Sequence, residues 1–99
     1  MNGKRVHERF EHTLPVVLTH GGQELTAETR NVSLGGMYIV TPALLTFGDA
    51  IVVRVRLPSL KADSVLEATV RWKEKDGYGV QFGSLHALDV WGLNQLLKK

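Results

Sequence analysis

The chain has 99 residues, of which 43% are hydrophobic and 22% charged; this predicts one soluble globular domain and excludes disordered and membrane-spanning classes. It has no cysteine, which excludes disulfides and thiolate catalysis, and its formal net charge of +2 is too small to predict binding to bulk nucleic acid. No apolar run approaches the roughly 20 residues of a spanning helix, and the polar N-terminus lacks a signal-peptide segment, so the predicted location is cytoplasmic.

The first half of the chain predicts three strands. Residues 14–19 are mostly apolar or β-branched, and a glycine pair follows them. Residues 23–32 alternate between apolar and polar types until a turn of the form Asn-x-Ser-x-x-Gly. Residues 37–41 are apolar and stop at a proline, after which residues 43–49 predict a turn or a single helical turn.

The second half predicts three more strands. Residues 50–57 show the clearest period of two, with alternate residues apolar. Residues 66–73 and 78–82 predict a hairpin around an Asp-Gly turn, with Trp72 on the apolar face of its strand and therefore in the core.

The last segment predicts a helix, because its apolar residues recur at three and four positions. Ser84 lies at the expected cap, two lysines fall in the last turn, and Gly92 costs about 1 kcal/mol relative to alanine, so docking against the strands must hold the helix. Six strands and one helix predict an all-β domain, either a small antiparallel barrel or a closed sandwich. The apolar positions of the helix are Leu85, Leu88, Trp91, Leu93, Leu96 and Leu97.

Arg5 and Arg9 lie four residues apart, which aims both side chains the same way in an extended chain or on a helix. A guanidinium fork bonds two phosphate oxygens, or O6 and N7 of guanine, and stacks on a base plane. The pair therefore suits a guanine nucleotide. The alternative is a solvated cluster of terminal charges offset by Glu8 and Glu11.

Residues 31–36 read Asn-Val-Ser-Leu-Gly-Gly. The asparagine amide and the serine hydroxyl are two residues apart and project to one side, while glycines admit a ligand close to the backbone. This arrangement suits the edge of a base. The alternative is an Asx or Ser turn that satisfies its own backbone, and the match to a glycosylation acceptor carries little weight without a secretory signal.

The two motifs, followed by Gly-Tyr-Gly-Val-Gln-Phe at residues 77–82 and a terminal helix, resemble in this order the PilZ domain family. The resemblance runs from Lys4 to the helix, and both motifs match without gap or substitution. It implies a single-domain protein with no fused output module, in which residues 13–99 form a six-stranded antiparallel β-barrel with a C-terminal α-helix. The implied ligand is the bacterial second messenger cyclic di-GMP.

The resemblance also implies the residues of the ligand site. The arginine pair would grip guanine and phosphate, and the second motif would contact a guanine edge from the barrel surface. Lys4 occupies the place of a basic residue that favours a stacked pair of ligands over a single one. Arg30 would add a phosphate contact, unless it is an ordinary exposed strand arginine. The implied residues are Arg5, Arg9, Asn31, Ser33 and Gly36, with Lys4, Arg30 and Gly35 as secondary candidates.

Residues 1–12 are expected to form a flexible arm, because they have few apolar anchors beyond Val6 and Phe10. Ligand would draw this arm across the barrel and create a surface for an unidentified downstream protein, in processes such as motility or biofilm formation. No cofactor or metal is implied. The expected state is a monomer or a weak homodimer formed through an apolar patch on the strands or the helix.

Three other functions compete with this one. An enzyme is not expected, because the histidines are scattered and no carboxylate pair or nucleophile motif occurs; two of them, His7 and His12, lack a third metal ligand. A nucleic-acid-binding barrel would use Tyr38 or Tyr78 as stacking platforms, but nucleic acid is not the expected ligand. A PilZ-like adaptor that binds only proteins, for example in pilus or motility machinery, is opposed by the intact motifs.

Overall fold

A computed structural model describes residues 10–98 of the chain. The elements are β1 (Phe10–Glu11), β2 (Pro15–His20), β3 (Gln23–Val32), β4 (Gly36–Val40), β5 (Ala50–Val55), β6 (Ser64–Lys73), β7 (Gly77–Phe82) and α1 (Ala87–Leu96). Within this range all strand pairings are antiparallel, and six strands close into a ring in the order β3-β2-β5-β6-β7-β4, with β4 pairing back to β3. The predicted six-stranded antiparallel barrel with a C-terminal helix is confirmed.

The period of two in the sequence builds the core. Alternate side chains of each strand point into the barrel, as Ile51, Val53 and Val55 do from β5, and these are almost fully buried. Burial of each aliphatic side chain of this size contributes roughly 1.5–3 kcal/mol to the stability of the folded protein. Together these side chains form one continuous core that stabilises the barrel. The same core includes Leu18, Val32, Met37, Ile39, Leu66, Val70, Val80 and Leu93.

Two strands contain an irregularity that reverses this alternation. The register of β3 against β4 shifts between Thr29 and Asn31, and that of β6 against β7 shifts between Val70 and Trp72. The extra residue in β6 turns Trp72 away from the core, so it pairs with Gly79 and is half-buried. The prediction that Trp72 belongs to the core is therefore wrong.

The helix α1 docks through only part of the predicted apolar face. Leu93 is fully buried in the core, whereas Leu88 and Trp91 are exposed to solvent. The predicted cap at Ser84 is also wrong, because His86 occupies the cap position and makes no side-chain cap hydrogen bond. No helix among residues 10–98 has the length and apolar character needed to cross a bilayer.

Gly92 allows α1 to approach the barrel closely. This agrees with the prediction that docking against the strands holds the helix together. A Cβ atom at this position would lie 2.9 Å from Leu60 Cδ1 and 3.0 Å from Leu57 Cδ1. Its weak helix propensity is thus offset by close packing against two leucines.

Candidate functional site

The turn between β3 and β4 is closed by Ser33. Its backbone N–H donates to the Gly36 carbonyl at 2.8 Å. Its buried hydroxyl donates to the same carbonyl at 3.2 Å and accepts from the N–H groups of Gly35 and Gly36, both at 3.1 Å. One proton and two lone pairs are the whole capacity of a hydroxyl. The structure therefore contains the serine turn that the sequence left as an alternative, and a ligand contact through this hydroxyl requires exchange of one of these bonds.

The glycines of the motif hold the turn against β7. The Phe82 N–H donates to the Gly35 carbonyl at 2.9 Å. A Cβ atom on Gly36 would lie 2.0 Å from the backbone carbonyl oxygen of Val80. Gly36 is thus required for β4 to pair with β7, in addition to any contact with a ligand.

One row of residues crosses the strands at the level of the motif. Glu11 pairs with Asn31, Asn31 with Tyr38, Tyr38 with Gly79, and Gly79 with Trp72. Residues directly opposite one another share a face of the sheet. We call this the outer row, because it lies on the outside of the barrel.

The neighbours of Tyr38 along β4 establish that direction. Met37 and Ile39 belong to the core, so the side chain between them points outward. Gly79 alternates in the same way within β7, and a Cβ atom there would lie 1.9 Å from the Trp72 indole. The indole therefore lies directly on the β7 backbone and extends the outer row towards β6.

Arg30, Tyr38 and Asp76 form a polar cluster beside Asn31. The Tyr38 hydroxyl donates to Asp76 Oδ1 at 2.6 Å, and Arg30 Nη2 donates to Asp76 Oδ2 in an ion pair. The Arg30 guanidinium also lies 5.1 Å from the centroid of the Tyr38 ring. The register shift in β3 and the turn before β7 bring together groups that are 46 positions apart in sequence. We call these three residues the Arg30 cluster.

The contacts of the Arg30 cluster shift the pKa of each member. Burial, followed by the hydrogen bond to Asp76, raises the pKa of Tyr38 to about 12. The hydrogen bonds from Tyr38 and then Arg30 lower the pKa of the Asp76 carboxyl, and the bond to Asp76 raises the pKa of Arg30. The cluster therefore holds an ionised carboxylate and a neutral phenol throughout the neutral range.

The raised pKa of Tyr38 predicts a loss of stability in alkali. An unfolded tyrosine ionises near pH 10, whereas Tyr38 in the folded protein ionises at about 12. The stabilisation is fully present below pH 10 and is lost as the pH rises from 10 to 12. Urea unfolding across this range checks the decline, and absorbance at 295 nm reports phenolate formation. Tyr38→Phe, which leaves Tyr78 as the remaining tyrosine, should flatten the decline; ionisation of Tyr38 near pH 10 in the folded protein would contradict the assignment.

Backbone and side-chain bonds fix the point at which the N-terminal segment reaches the barrel. The Thr29 hydroxyl donates to the His12 carbonyl at 2.5 Å and accepts from the Leu14 N–H at 2.9 Å. Phe10 then pairs with Val32, the last residue of β3. The chain therefore enters the described region beside the Asn-x-Ser-x-x-Gly turn.

The predicted site residues fall into two groups. Arg30, Asn31, Ser33, Gly35 and Gly36 lie together at one end of the β3–β4 hairpin. The predicted arm is described only from residue 10 onward, where it forms the short strand β1. Lys4, Arg5 and Arg9 lie outside the described residues.

Sequence reasoning missed Asp76 and the buried position of Tyr38. Asp76 precedes a glycine, so the sequence indicated only a turn-former, and no sequence pattern shows that β4 and β7 are neighbours. Tyr38 and Tyr78, the stacking platforms that a nucleic-acid-binding barrel would use, are only 4% and 3% exposed, which argues against that alternative. Among residues 10–98, no three histidine or acidic side chains are grouped so as to hold a metal ion.

The family model of the PilZ domain matches residues 3–98. The solved structures similar to this chain include Bacillus subtilis inhibitor of motility, MotI/DgrA, with a TM-score of 0.81, 22% identity, and coverage of 96% of this chain and 50% of that one. The PilZ domain of CeSA from a cellulose-synthesising bacterium gives a TM-score of 0.70 at 19% identity, covering 91% and 94% respectively.

A third similar structure is Borreliella burgdorferi PlzA in complex with c-di-GMP, with a TM-score of 0.74, 11% identity, and coverage of 93% of this chain and 40% of that one. The chain thus spans half or less of the MotI/DgrA and PlzA chains but nearly all of the CeSA domain. No curated protein sequence matches significantly.

Proposed function

Because this chain belongs to the PilZ domain family, we propose that it is a receptor for cyclic di-GMP, which binds on the outside of the barrel next to Asn31. The protein acts by contact with another protein rather than by catalysis. Arg5 and Arg9 supply the guanidinium groups that bind guanine and phosphate. The turn at residues 31–36 supplies the polar groups that contact the edge of a guanine base.

One observation carries this proposal: β1 brings the chain to the motif. Phe10 pairs with Val32 and Glu11 with Asn31. Arg9 is joined covalently to Phe10, and Arg5 lies five residues before it, within about 18 Å of extended chain. The arginine motif and the Asn-x-Ser-x-x-Gly motif are therefore within reach of one ligand, although some twenty residues separate them in sequence.

The outer row offers such a ligand both polar and aromatic groups. Asn31 presents an amide that can donate to and accept from a base edge. Beyond Tyr38, the Trp72 indole lies against Gly79. Arg30 adds a guanidinium on the same face, half-exposed and next to Asn31, in reach of a phosphate.

Similar proteins of known structure support both the proposed ligand and the proposed action on another protein. PlzA was solved in complex with c-di-GMP, and MotI/DgrA is an inhibitor of motility. A ligand that orders the N-terminal segment over the outer row would create a new surface there. A downstream protein, for example one that acts in motility, would bind to that surface. Because ordering a segment has an entropic cost, the expected affinity is micromolar.

Isothermal titration of cyclic di-GMP tests the proposal. The wild-type protein should bind in the micromolar range, and the stoichiometry reports whether one ligand or a stacked pair is bound, as Lys4 suggests. Asn31→Ala should weaken binding by about tenfold or more, since a base contact contributes roughly 1–3 kcal/mol.

Asn94→Ala is the matched control, because this asparagine is exposed on α1, where its amide donates to the Val90 carbonyl. It should bind like the wild type. Absence of binding by the wild-type protein at millimolar ligand would overturn the receptor proposal and leave the family's protein-only adaptors as the model.

A further inference from the structure

We propose that Asp76 is an internal competitor for the ligand: it neutralises Arg30 in the free protein, and removing its charge makes cyclic di-GMP bind more tightly. This inference rests on the proposed function and adds a residue to it that lies in neither motif. It assigns the turn between β6 and β7 a role in setting the affinity of a site on β3 and β4.

Arg30 is accessible to a ligand on the outer face. It is the residue at the register shift of β3, directly before Asn31, and 52% of its side chain is exposed. Asp76 is 46% exposed. Neither group is sealed off, so an anionic ligand at Asn31 and the Asp76 carboxylate compete for the same cation.

The carboxylate is fixed in place by a group that the ligand does not need to displace. The Tyr38 hydroxyl donates to Asp76 Oδ1 at 2.6 Å, which leaves Oδ2 for Arg30. Tyr38 itself is buried in β4, so the carboxylate is anchored to the barrel wall. Arg30 meets Asp76 through Nη2, and the remaining N–H groups of the guanidinium fork can still bond a phosphate.

Charge decides the direction of the effect. A cyclic dinucleotide carries two phosphates, and the neutral Arg30–Asp76 pair attracts them less than an uncompensated guanidinium would. An exposed ion pair of this kind contributes little to folding stability. Asparagine at position 76 keeps an oxygen that accepts from Tyr38, so Asp76→Asn removes the charge and retains the anchor.

Titration of cyclic di-GMP into Asp76→Asn is therefore expected to show affinity about two- to fivefold tighter than the wild type, the range of one exposed ion pair. The control is Asp63→Asn, which makes the same change in net charge. Asp63 pairs with Arg56 at 3.0 Å and with Arg54 at 3.7 Å. The Asp63→Asn variant should bind cyclic di-GMP with the same affinity as the wild type.

A second pair of variants separates competition for Arg30 from simple repulsion between Asp76 and the ligand. In an Arg30→Gln background, Asp76→Asn should give no further gain. A gain that persists there would show direct repulsion and overturn the inference, as would unchanged or weaker binding by Asp76→Asn while the wild type binds. Binding by neither the wild type nor Asp76→Asn would instead overturn the proposed function together with this inference. Binding by Asp76→Asn alone would overturn the proposed function of the wild-type protein while supporting competition by Asp76.

Discussion

Gly36→Ala is expected to lower the free energy of unfolding by about 3 kcal/mol, the upper end of the usual range for overpacking. The added Cβ atom would lie 2.0 Å from the Val80 carbonyl oxygen and 3.2 Å from Gln81 Cα. Both are backbone atoms of the neighbouring strand, which cannot rotate away as a side chain can. The β4–β7 pairing must separate locally, and with it the bond from Phe82 N–H to the Gly35 carbonyl. Urea denaturation followed by circular dichroism measures the change.

Gly83→Ala is the matched control for this substitution. A Cβ atom at Gly83 meets nothing closer than the Glu67 carbonyl oxygen at 3.6 Å, an ordinary contact. The expected change is within about 0.5 kcal/mol of the wild type. Equal unfolding midpoints for the two variants would refute the steric role of Gly36. Loss of ligand binding by Gly36→Ala must be compared with its stability, because the glycine of the motif is also required by the barrel.

Arg5→Ala and Arg9→Ala are each expected to weaken binding of cyclic di-GMP by about tenfold to a hundredfold. A guanidinium that bonds guanine or phosphate through two parallel N–H groups makes a contact that alanine cannot replace. Titration at two salt concentrations separates the components, since a phosphate contact weakens with salt more than a base contact does.

Arg56→Ala controls for loss of a positive charge elsewhere on the barrel. Its guanidinium pairs with Asp63, in the loop between β5 and β6. This variant should bind as the wild type does. If the two N-terminal arginine variants also retained wild-type affinity, the N-terminal segment would have no part in the site, and recognition would reside in the barrel alone.

The sequence determined the barrel and the motif that we propose contacts its ligand. The period of two in residues 50–57 correctly predicted which side of β5 is buried. Apolar side chains that share one face of a strand are stabilised when that face is buried away from water. The predicted bounds of β3 match the structure, since a glycine pair precedes this strand and the Asn-x-Ser-x-x-Gly turn follows it. Local chemistry alone supplies signals of this kind.

Where alternation fails, only the tertiary structure decided the outcome. The extra residue in β6 turned Trp72 from the core to the outer row, and a bulge is specified by pairing with a partner strand rather than by the residues that form it. The helix shows the same limit, because the exposure of Leu88 and Trp91 depends on how α1 lies across the barrel.

The candidate site likewise has a part that the local sequence determines and a part that only the tertiary structure determines. Its two motifs are contiguous in sequence, so their chemistry could be inferred from residue types and spacing. The Arg30 cluster joins β3, β4 and the turn before β7, and closure of the barrel brings its members together. The sequence by itself determined the strands, the helix and the two motifs assigned to the proposed ligand site. The direction of Trp72, the second role of Gly36 and the pairing of Asp76 with Arg30 depend on contacts between strands that are distant in sequence.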